Sequence, residues 1–281
     1  MKILVFGSTG LIGTALDIVS RKKNIRYVGL SHSDIDATDE SAVKKAILEH
    51  RPTVVVNAVV IIGPPCEEDP LKAFNVNTMV AYCLAKVCAE QGAVLFQPSS
   101  HAVFEGTYDG FYTEDHDAKP MNIYGGSKYL SEIFARNICP KSYVVRFPTM
   151  FGPRKNQKGG FVDKMLARIR NGDDLRVVDD KIDSMTYSID VAEQIIAMAQ
   201  KEVPYGIYHI ANAGQVSYYA FVKKLMELLG VHNKLVAAKA ADFATAGHQS
   251  LKTAMKSNKL PAMRGWEEAL ADYVSTLLVP K

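Results

Sequence analysis

The run Lys2-Ile3-Leu4-Val5-Phe6, followed at once by Gly7-Ser8-Thr9-Gly10-Leu11-Ile12-Gly13, constrains this chain more than any other feature. A short apolar strand that breaks on glycine and reopens as a helix is the first strand–turn–helix unit of a dinucleotide-binding fold. Gly7 allows the tight turn, Gly10 lets a pyrophosphate approach the backbone, and Gly13 lets the helix pack closely on the strand. The helix N-terminus then offers free N–H groups and the positive end of its dipole to the phosphates. Cofactor contacts are therefore expected from Gly7, Ser8, Thr9, Gly10, Leu11, Ile12 and Gly13.

The first half of the chain continues the alternation. Strands are expected at 2–6, 26–30, 53–57, 94–97 and 142–146, with helices at 11–21, 40–50, 71–90 and 124–137. These strands are short, rich in Val, Ile and Leu, and lack period-two alternation, as parallel strands covered on both faces do. The most apolar stretch, 54–62, has the length of a buried strand. The fold class is α/β: a doubly wound parallel sheet, Rossmann-like, with a smaller C-terminal substrate-binding lobe. Residues 1–150 are expected to form the NAD(P)-binding domain and 151–281 mainly the lobe, with 187–211 able to return to the first domain. In the second part a Gly/Lys-rich loop (152–160) precedes a helix at 161–170. Strand pieces follow at 175–178 and 205–210, with helices at 190–200, 218–229 and 265–278, while 234–250 is Ala-rich and poorly punctuated.

Composition narrows the class of function. Of the 281 residues 48% are apolar and 22% charged, enough for a large core and unlike a disordered chain, a coiled coil or a fibre. A net charge of +3 leaves no electrostatic footprint for nucleic acid or an anionic membrane. No run of about eighteen apolar residues exists to span a bilayer, and the opening apolar run is too short for a signal-peptide core. The expected location is the cytoplasm. Cys66, Cys83, Cys88 and Cys139 make no CxxC pair and lack zinc-finger spacing, so free thiols and no metal are expected.

The chemistry concentrates in Tyr124-Gly125-Gly126-Ser127-Lys128. A spacing of four puts Tyr124 and Lys128 on one helical face, one turn apart. An ammonium beside a phenol favours the phenolate and is expected to lower the tyrosine pKa. Such a tyrosine can protonate a carbonyl oxygen as hydride reaches its carbon. Ser100, after the fourth strand, can hydrogen-bond and orient that carbonyl, with Ser99 a backbone or cofactor contact and one of the two capping the following turn. At the end of the second strand, Leu30-Ser31-His32-Ser33 carries no carboxylate before Asp34. That leaves room for a 2′-phosphate beside Ser31 and His32 and slightly favours NADP(H) over NAD(H). Asp36 has two readings, a contact to the adenine amino group or a turn role.

Together these residues resemble the extended short-chain dehydrogenase/reductase superfamily, and within it the dTDP-4-dehydrorhamnose reductase family. The resemblance runs nearly end to end, through DIDATD, RPTVVVNA, CEEDP, FNVNT, SSHAVFEG, the Tyr124–Lys128 segment, GGFVDKML, GIYHIANAG and LKTAMKSNKL. It implies reduction by NADPH or NADH of the 4-keto group of a nucleotide-linked deoxy sugar. Tyr124 would be the proton donor, Lys128 would hold the nicotinamide ribose, and Ser100 would be the catalytic hydroxyl. Asn57, Ala58, Val59 and Asn77 would lie along the cofactor. His101, Val103, Phe147, Phe161 and the loop 148–152 would border the substrate. Three departures stand out: His101-Ala102 replaces Asp-Tyr, the segment AVVIIGPPCEEDP with Pro64-Pro65 stands where the family has a more polar run ending in Val-Asp, and Met185 replaces proline. Two other readings stay open, a nucleotide-sugar 4-epimerase with tightly bound NAD and a non-catalytic regulatory homologue. A homodimer is the default assembly.

Overall fold

In the computed structural model, which describes residues 1–156, 159–243 and 247–278, β1 (Lys2–Phe6) is a central strand with its apolar side chains buried on both faces. Residues 157–158 of the Gly/Lys-rich loop, 244–246 of the Ala-rich stretch and 279–281 of the expected lobe lie outside the described residues. After β1 come α1 (Leu11–Lys22), β2 (Arg26–Leu30), α2 (Glu40–His50) and β3 (Val54–Asn57). Next are α3 (Pro64–Glu68), α4 (Pro70–Phe74), a π-helical turn (Asn75–Met79), α5 (Val80–Gln91), β4 (Val94–Ser100), α6 (Ile123–Ile138) and β5 (Ser142–Phe147). The second half holds β6 (Met150–Phe151), α7 (Phe161–Arg170), β7 (Leu175–Val178), β8 (Ile182–Asp183), β9 (Thr186–Tyr187), α8 (Ser188–Lys201) and β10 (Gly206–His209). It ends with β11 (Val216–Ser217), α9 (Tyr218–Leu229), β12 (Leu235–Ala238) and α10 (Trp266–Leu278).

Six of these strands form one parallel sheet in the order β10-β5-β4-β3-β1-β2. Period two sends Ile3 and Val5 to one face and Leu4 and Phe6 to the other. The first pair packs with Leu16 and Val19 of α1 and Ile195 of α8. The second packs with Ile47 of α2, Leu84 of α5 and Ala135 of α6. Both faces are thus covered, which is why the strands read as continuous apolar runs. A separate core joins Phe151, Leu166 of α7, Phe221 and Leu225 of α9, and Leu270 and Tyr273 of α10. The segment carrying α8 and β10 rejoins the large sheet, β10 pairing with β5.

Two expectations need correction. The apolar stretch 54–62 is strand only as far as Asn57; beyond it the chain turns out, leaving Val60 and Ile62 exposed. The helix expected over 71–90 is interrupted by the π-helical turn. Its cause is polar: Asn77 Oδ1 accepts from Ile61 N at 2.8 Å, while Nδ2 donates to Ile61 O and Ser127 Oγ, each at 3.0 Å. A widened turn aims this side chain inward, a device common at functional sites.

The glycine turn is built as its spacing requires. Gly7 adopts φ +84°, and a Cβ there would lie 2.5 Å from Ala58 O. A Cβ on Gly13 would lie 2.5 Å from Ser8 Cα, so α1 can approach the turn only without a side chain. A Cβ on Gly10 would meet no atom of the chain closer than Gly7 O at 3.7 Å. Overpacking of this kind costs about 1–3 kcal/mol. Gly13→Ala is therefore expected to lower unfolding stability by about 2 kcal/mol or more, and Gly10→Ala by less than about 1 kcal/mol. Urea denaturation of the two variants checks the ranking.

Candidate active site

α6 brings the reactive side chains together. Its first-turn N–H groups are satisfied from two directions. Asn122 Oδ1 accepts from Gly125 N at 2.7 Å, and the Glu67 carboxylate accepts from Ile123 N and Tyr124 N, both at 3.2 Å. Glu67 is on α3, whose first two residues are Pro64 and Pro65, preorganised for a helix start. A carboxylate at a helix N-terminus also meets the positive dipole end. The residue that fixes the backbone of Tyr124 is thus 57 positions away in the chain.

Tyr124 is half-buried, Lys128 is buried, and Ser100 closes β4 beside them. The Tyr124 phenol hydrogen-bonds Ser100, whose Oγ also accepts from Ala102 N at 3.1 Å. Of the two serines it is therefore Ser100 that caps the following turn. Ser99, expected as a backbone or cofactor contact, donates its hydroxyl to Glu132 Oε1 at 2.5 Å. Glu132 is buried and also takes two bonds from Arg146, Nε at 2.9 Å and Nη2 at 2.7 Å. Spacing of four from Lys128 to Glu132 extends the Tyr124 face by one more turn, a signal the sequence carried.

The electrostatics reverse one expectation. Tyr124 was expected to have a lowered pKa, but burial pushes it up to about 12, with the Ser100 hydrogen bond pulling the other way. Burial pushes Lys128 down to about 8, opposed by the Glu132 carboxylate. Desolvation disfavours the charged form of each group, and here it outweighs any help the ammonium gives the phenol. Below about pH 8 the free protein therefore holds a neutral phenol and a charged lysine.

The dinucleotide side fits a bound cofactor. No side chain caps Gly10 and no acidic residue stands in the first turn of α1, so the helix end is open to phosphate. Gly7 N and Ser8 N donate to Leu30 O at 2.8 and 3.1 Å, placing the end of β2 against the turn. Beyond it, Ser31 N and Oγ donate to Asp34 Oδ2 at 2.8 and 2.6 Å, so a carboxylate folds back onto the strand end next to exposed His32. Asp36 takes the turn role of its two readings: Oδ1 accepts from Thr38 N at 2.9 Å and Thr38 Oγ1 at 2.7 Å. Asn57 Nδ2 donates to Gln97 Oε1 at 2.9 Å, and Ala58 and Val59 remain part-exposed above it. Asn77 is committed to Ile61 and Ser127 rather than to a cofactor. Ile12 turns its side chain into the core, leaving its backbone N–H at the helix end.

On the substrate side, Val103 and Phe147 depart from expectation. Val103 is fully enclosed with Phe104, Tyr112 and Met255, and Phe147 is buried beneath the sheet, so neither side chain lines a cleft. His101 keeps partial exposure and faces Asp183, which sequence reasoning missed. Phe161 is part-exposed and packs on Tyr218 with ring centroids 4.6 Å apart. Lys155 N and Asn156 N donate to Thr9 O, both at 3.0 Å, and Lys155 Nζ reaches Asp17 at 2.7 Å. The Gly/Lys-rich loop therefore touches the glycine turn through Lys155 and Asn156. Among the described residues no group of three or more His, Cys, Asp or Glu side chains could hold a metal ion. No helix among them is long and apolar enough to cross a membrane.

Comparison with known proteins finds relatives over most of the chain. A dTDP-4-dehydrorhamnose reductase of Streptomyces griseus is 33% identical over 81% of this chain and 76% of its own length. The crystal structure of a dTDP-4-dehydrorhamnose reductase from Clostridium acetobutylicum superposes with a TM-score of 0.93 at 27% identity, covering 99% of this chain and 100% of that one. A dTDP-4-dehydrorhamnose reductase from Bacillus anthracis, solved in complex with NADP, gives a TM-score of 0.92 at 25% identity over 98% and 100% of the two chains. The family model of the RmlD substrate binding domain matches residues 1–279, and the chain belongs to that family.

Proposed function

We propose that this chain reduces the 4-keto group of a nucleotide-linked 6-deoxy sugar with NAD(P)H. The observation that carries the reading is the Tyr124 phenol, hydrogen-bonded to Ser100 and one helical turn from the buried Lys128. The open end of α1 supports dinucleotide binding beside it, and the named activities of the relatives supply the substrate class. Residues 1–150 would hold the cofactor and most of 151–281 the sugar nucleotide. The nicotinamide supplies the hydride when bound.

The chain's own residues do the rest. Ser100 and Tyr124 both offer hydrogen bonds to the carbonyl oxygen, fixing the ketone and polarising it. Tyr124 is held neutral by burial and so is a loaded acid: its proton passes to that oxygen as negative charge develops there. Lys128 brings a positive charge that becomes more favourable as the phenol turns to phenolate. Glu67 and Asn122 hold the first turn of α6, and Glu132 with Arg146 holds the turn below it. Phe161, part-exposed and backed by the buried Tyr218, offers an aromatic face to the sugar nucleotide.

Tyr124→Phe is expected to lower kcat by about a hundredfold or more while leaving the NADPH Kd within about threefold. NADPH oxidation at 340 nm with dTDP-4-keto-6-deoxyglucose, and fluorescence titration of NADPH, check the two halves. Bound NAD that survives dialysis would instead favour the epimerase, and tight NADPH binding without turnover the regulatory homologue. A pH profile tests Lys128 separately. Its ammonium is charged below about pH 8 and neutral above it, so kcat/KM should fall about tenfold per pH unit above that point. A profile flat to about pH 10 would show that this charge is not used.

A further inference from the structure

Reduction uses Tyr124, Lys128 and Ser100, and leaves a second acid–base pair beside them without a task. His101 directly follows Ser100, on the 3-10 turn that Ser100 caps. Its Nδ1 faces Asp183 Oδ2 at 3.2 Å, and Asp183 lies on β8, in the half of the chain expected to meet the sugar. Asp183 has no exposed surface. Its carboxylate is fixed by Thr149 N and Ser184 N, both at 2.9 Å. Burial alone would raise its pKa, yet the His101 imidazole and Thr149 hold the carboxyl below its ordinary value. Lys181 stands nearby with its ammonium 4.8 Å over the Tyr218 ring, adding positive field to the same corner.

A carboxylate beside Nδ1 supports the positive charge of an imidazole once Nε2 takes a proton. The His101 side chain keeps 16% of its surface exposed while Nδ1 is enclosed. The reactive nitrogen is therefore Nε2. Carbons on either side of a ketone carry acidic hydrogens, and a 4-keto sugar presents them next to the oxygen that Ser100 and Tyr124 hold. We propose that His101, backed by Asp183, removes and returns a proton on a carbon adjacent to the 4-keto group, so that the protein exchanges or inverts that centre as well as reducing the ketone. This rests on the 4-keto sugar reading given above.

The step balances without any redox partner. The C–H bond breaks and an Nε2–H bond forms. The electron pair moves to the carbonyl oxygen as an enolate, held by the Ser100 hydroxyl and the Tyr124 phenol. Water exchanges the imidazolium proton, and the reverse step returns a solvent proton to carbon. No hydride is involved, so the exchange needs no reduced cofactor.

The test is to incubate the protein with dTDP-4-keto-6-deoxyglucose in D2O without nicotinamide and follow deuterium incorporation by mass spectrometry and proton NMR. The wild type is expected to exchange at least about tenfold faster than buffer. His101→Asn should lower the ratio of exchange to NADPH-dependent reduction at least about tenfold, whereas a purely structural role would lower both alike. Asp183→Asn should act in the same direction, and His101→Asn keeps the test decisive should that variant fold poorly. Reduction of this sugar without exchange above buffer overturns the proposal and leaves the reductase reading standing. Exchange undiminished relative to reduction in His101→Asn overturns it too. Neither reduction nor exchange overturns both readings together.

Discussion

One buried carboxylate organises the reactive end of the sheet. Glu132 of α6 accepts two bonds from Arg146 of β5 and one from Ser99 of β4, so a helix and two adjacent strands meet on a single group. Neither charged side chain exposes more than 3% of its surface. Breaking such a pair by removing one partner costs about 3–5 kcal/mol, because the other charge is left buried alone. The arrangement is therefore close to all-or-none. It fixes the height of α6 on the sheet, and with it the places of Lys128 and Tyr124 one and two turns up the same face.

The same carboxylate sets the electrostatic sign of the site. Lys128 and Arg146 are two buried cations that share one buried anion, Glu132. Positive surroundings favour an oxygen that gains charge, whether phenolate, enolate or alkoxide. Burial makes the lysine costly to keep charged, and its pKa falls accordingly. Without Glu132 the desolvation of Lys128 would go unopposed by any carboxylate on its own helix. The pair Ser99 and Ser100 divides the work: Ser99 anchors the strand end to Glu132, and Ser100 is left beside the phenol.

What the sequence made legible follows from the range of each interaction. The turn Gly7–Gly13 and the spacing of Tyr124 and Lys128 are local, set by chain geometry within one or two turns, and both stand as expected. The sheet follows from the apolar strands and their order. The contacts that finish the site are not local. Glu67 reaches Tyr124 across 57 residues, Asn77 reaches Ser127 across 50, and Lys155 reaches Asp17 across 138. Nothing in the type or spacing of these residues pairs them. The π-helical turn was missed because it exists to aim Asn77, and an apolar periodicity cannot register one inserted polar demand. The pKa of Tyr124 was misjudged for a related reason: spacing shows which charge is near, whereas burial depends on everything else packed around it.

The loop that rests on the glycine turn adds a mechanical consequence. Lys155 and Asn156 close onto Thr9 through main-chain N–H groups, and Lys155 N also donates to Thr14 Oγ1 at 3.1 Å. A few residues on, Phe161 begins α7 and packs on Tyr218. Tyr218 hydrogen-bonds Thr149 at 2.6 Å, and Thr149 N donates to the Asp183 carboxylate that faces His101. A set of contacts thus runs from the start of α7 through Tyr218, Thr149 and Asp183 to His101, the residue next to Ser100. The packing of Phe161 and the orientation of His101 are thus coupled through Tyr218, Thr149 and Asp183.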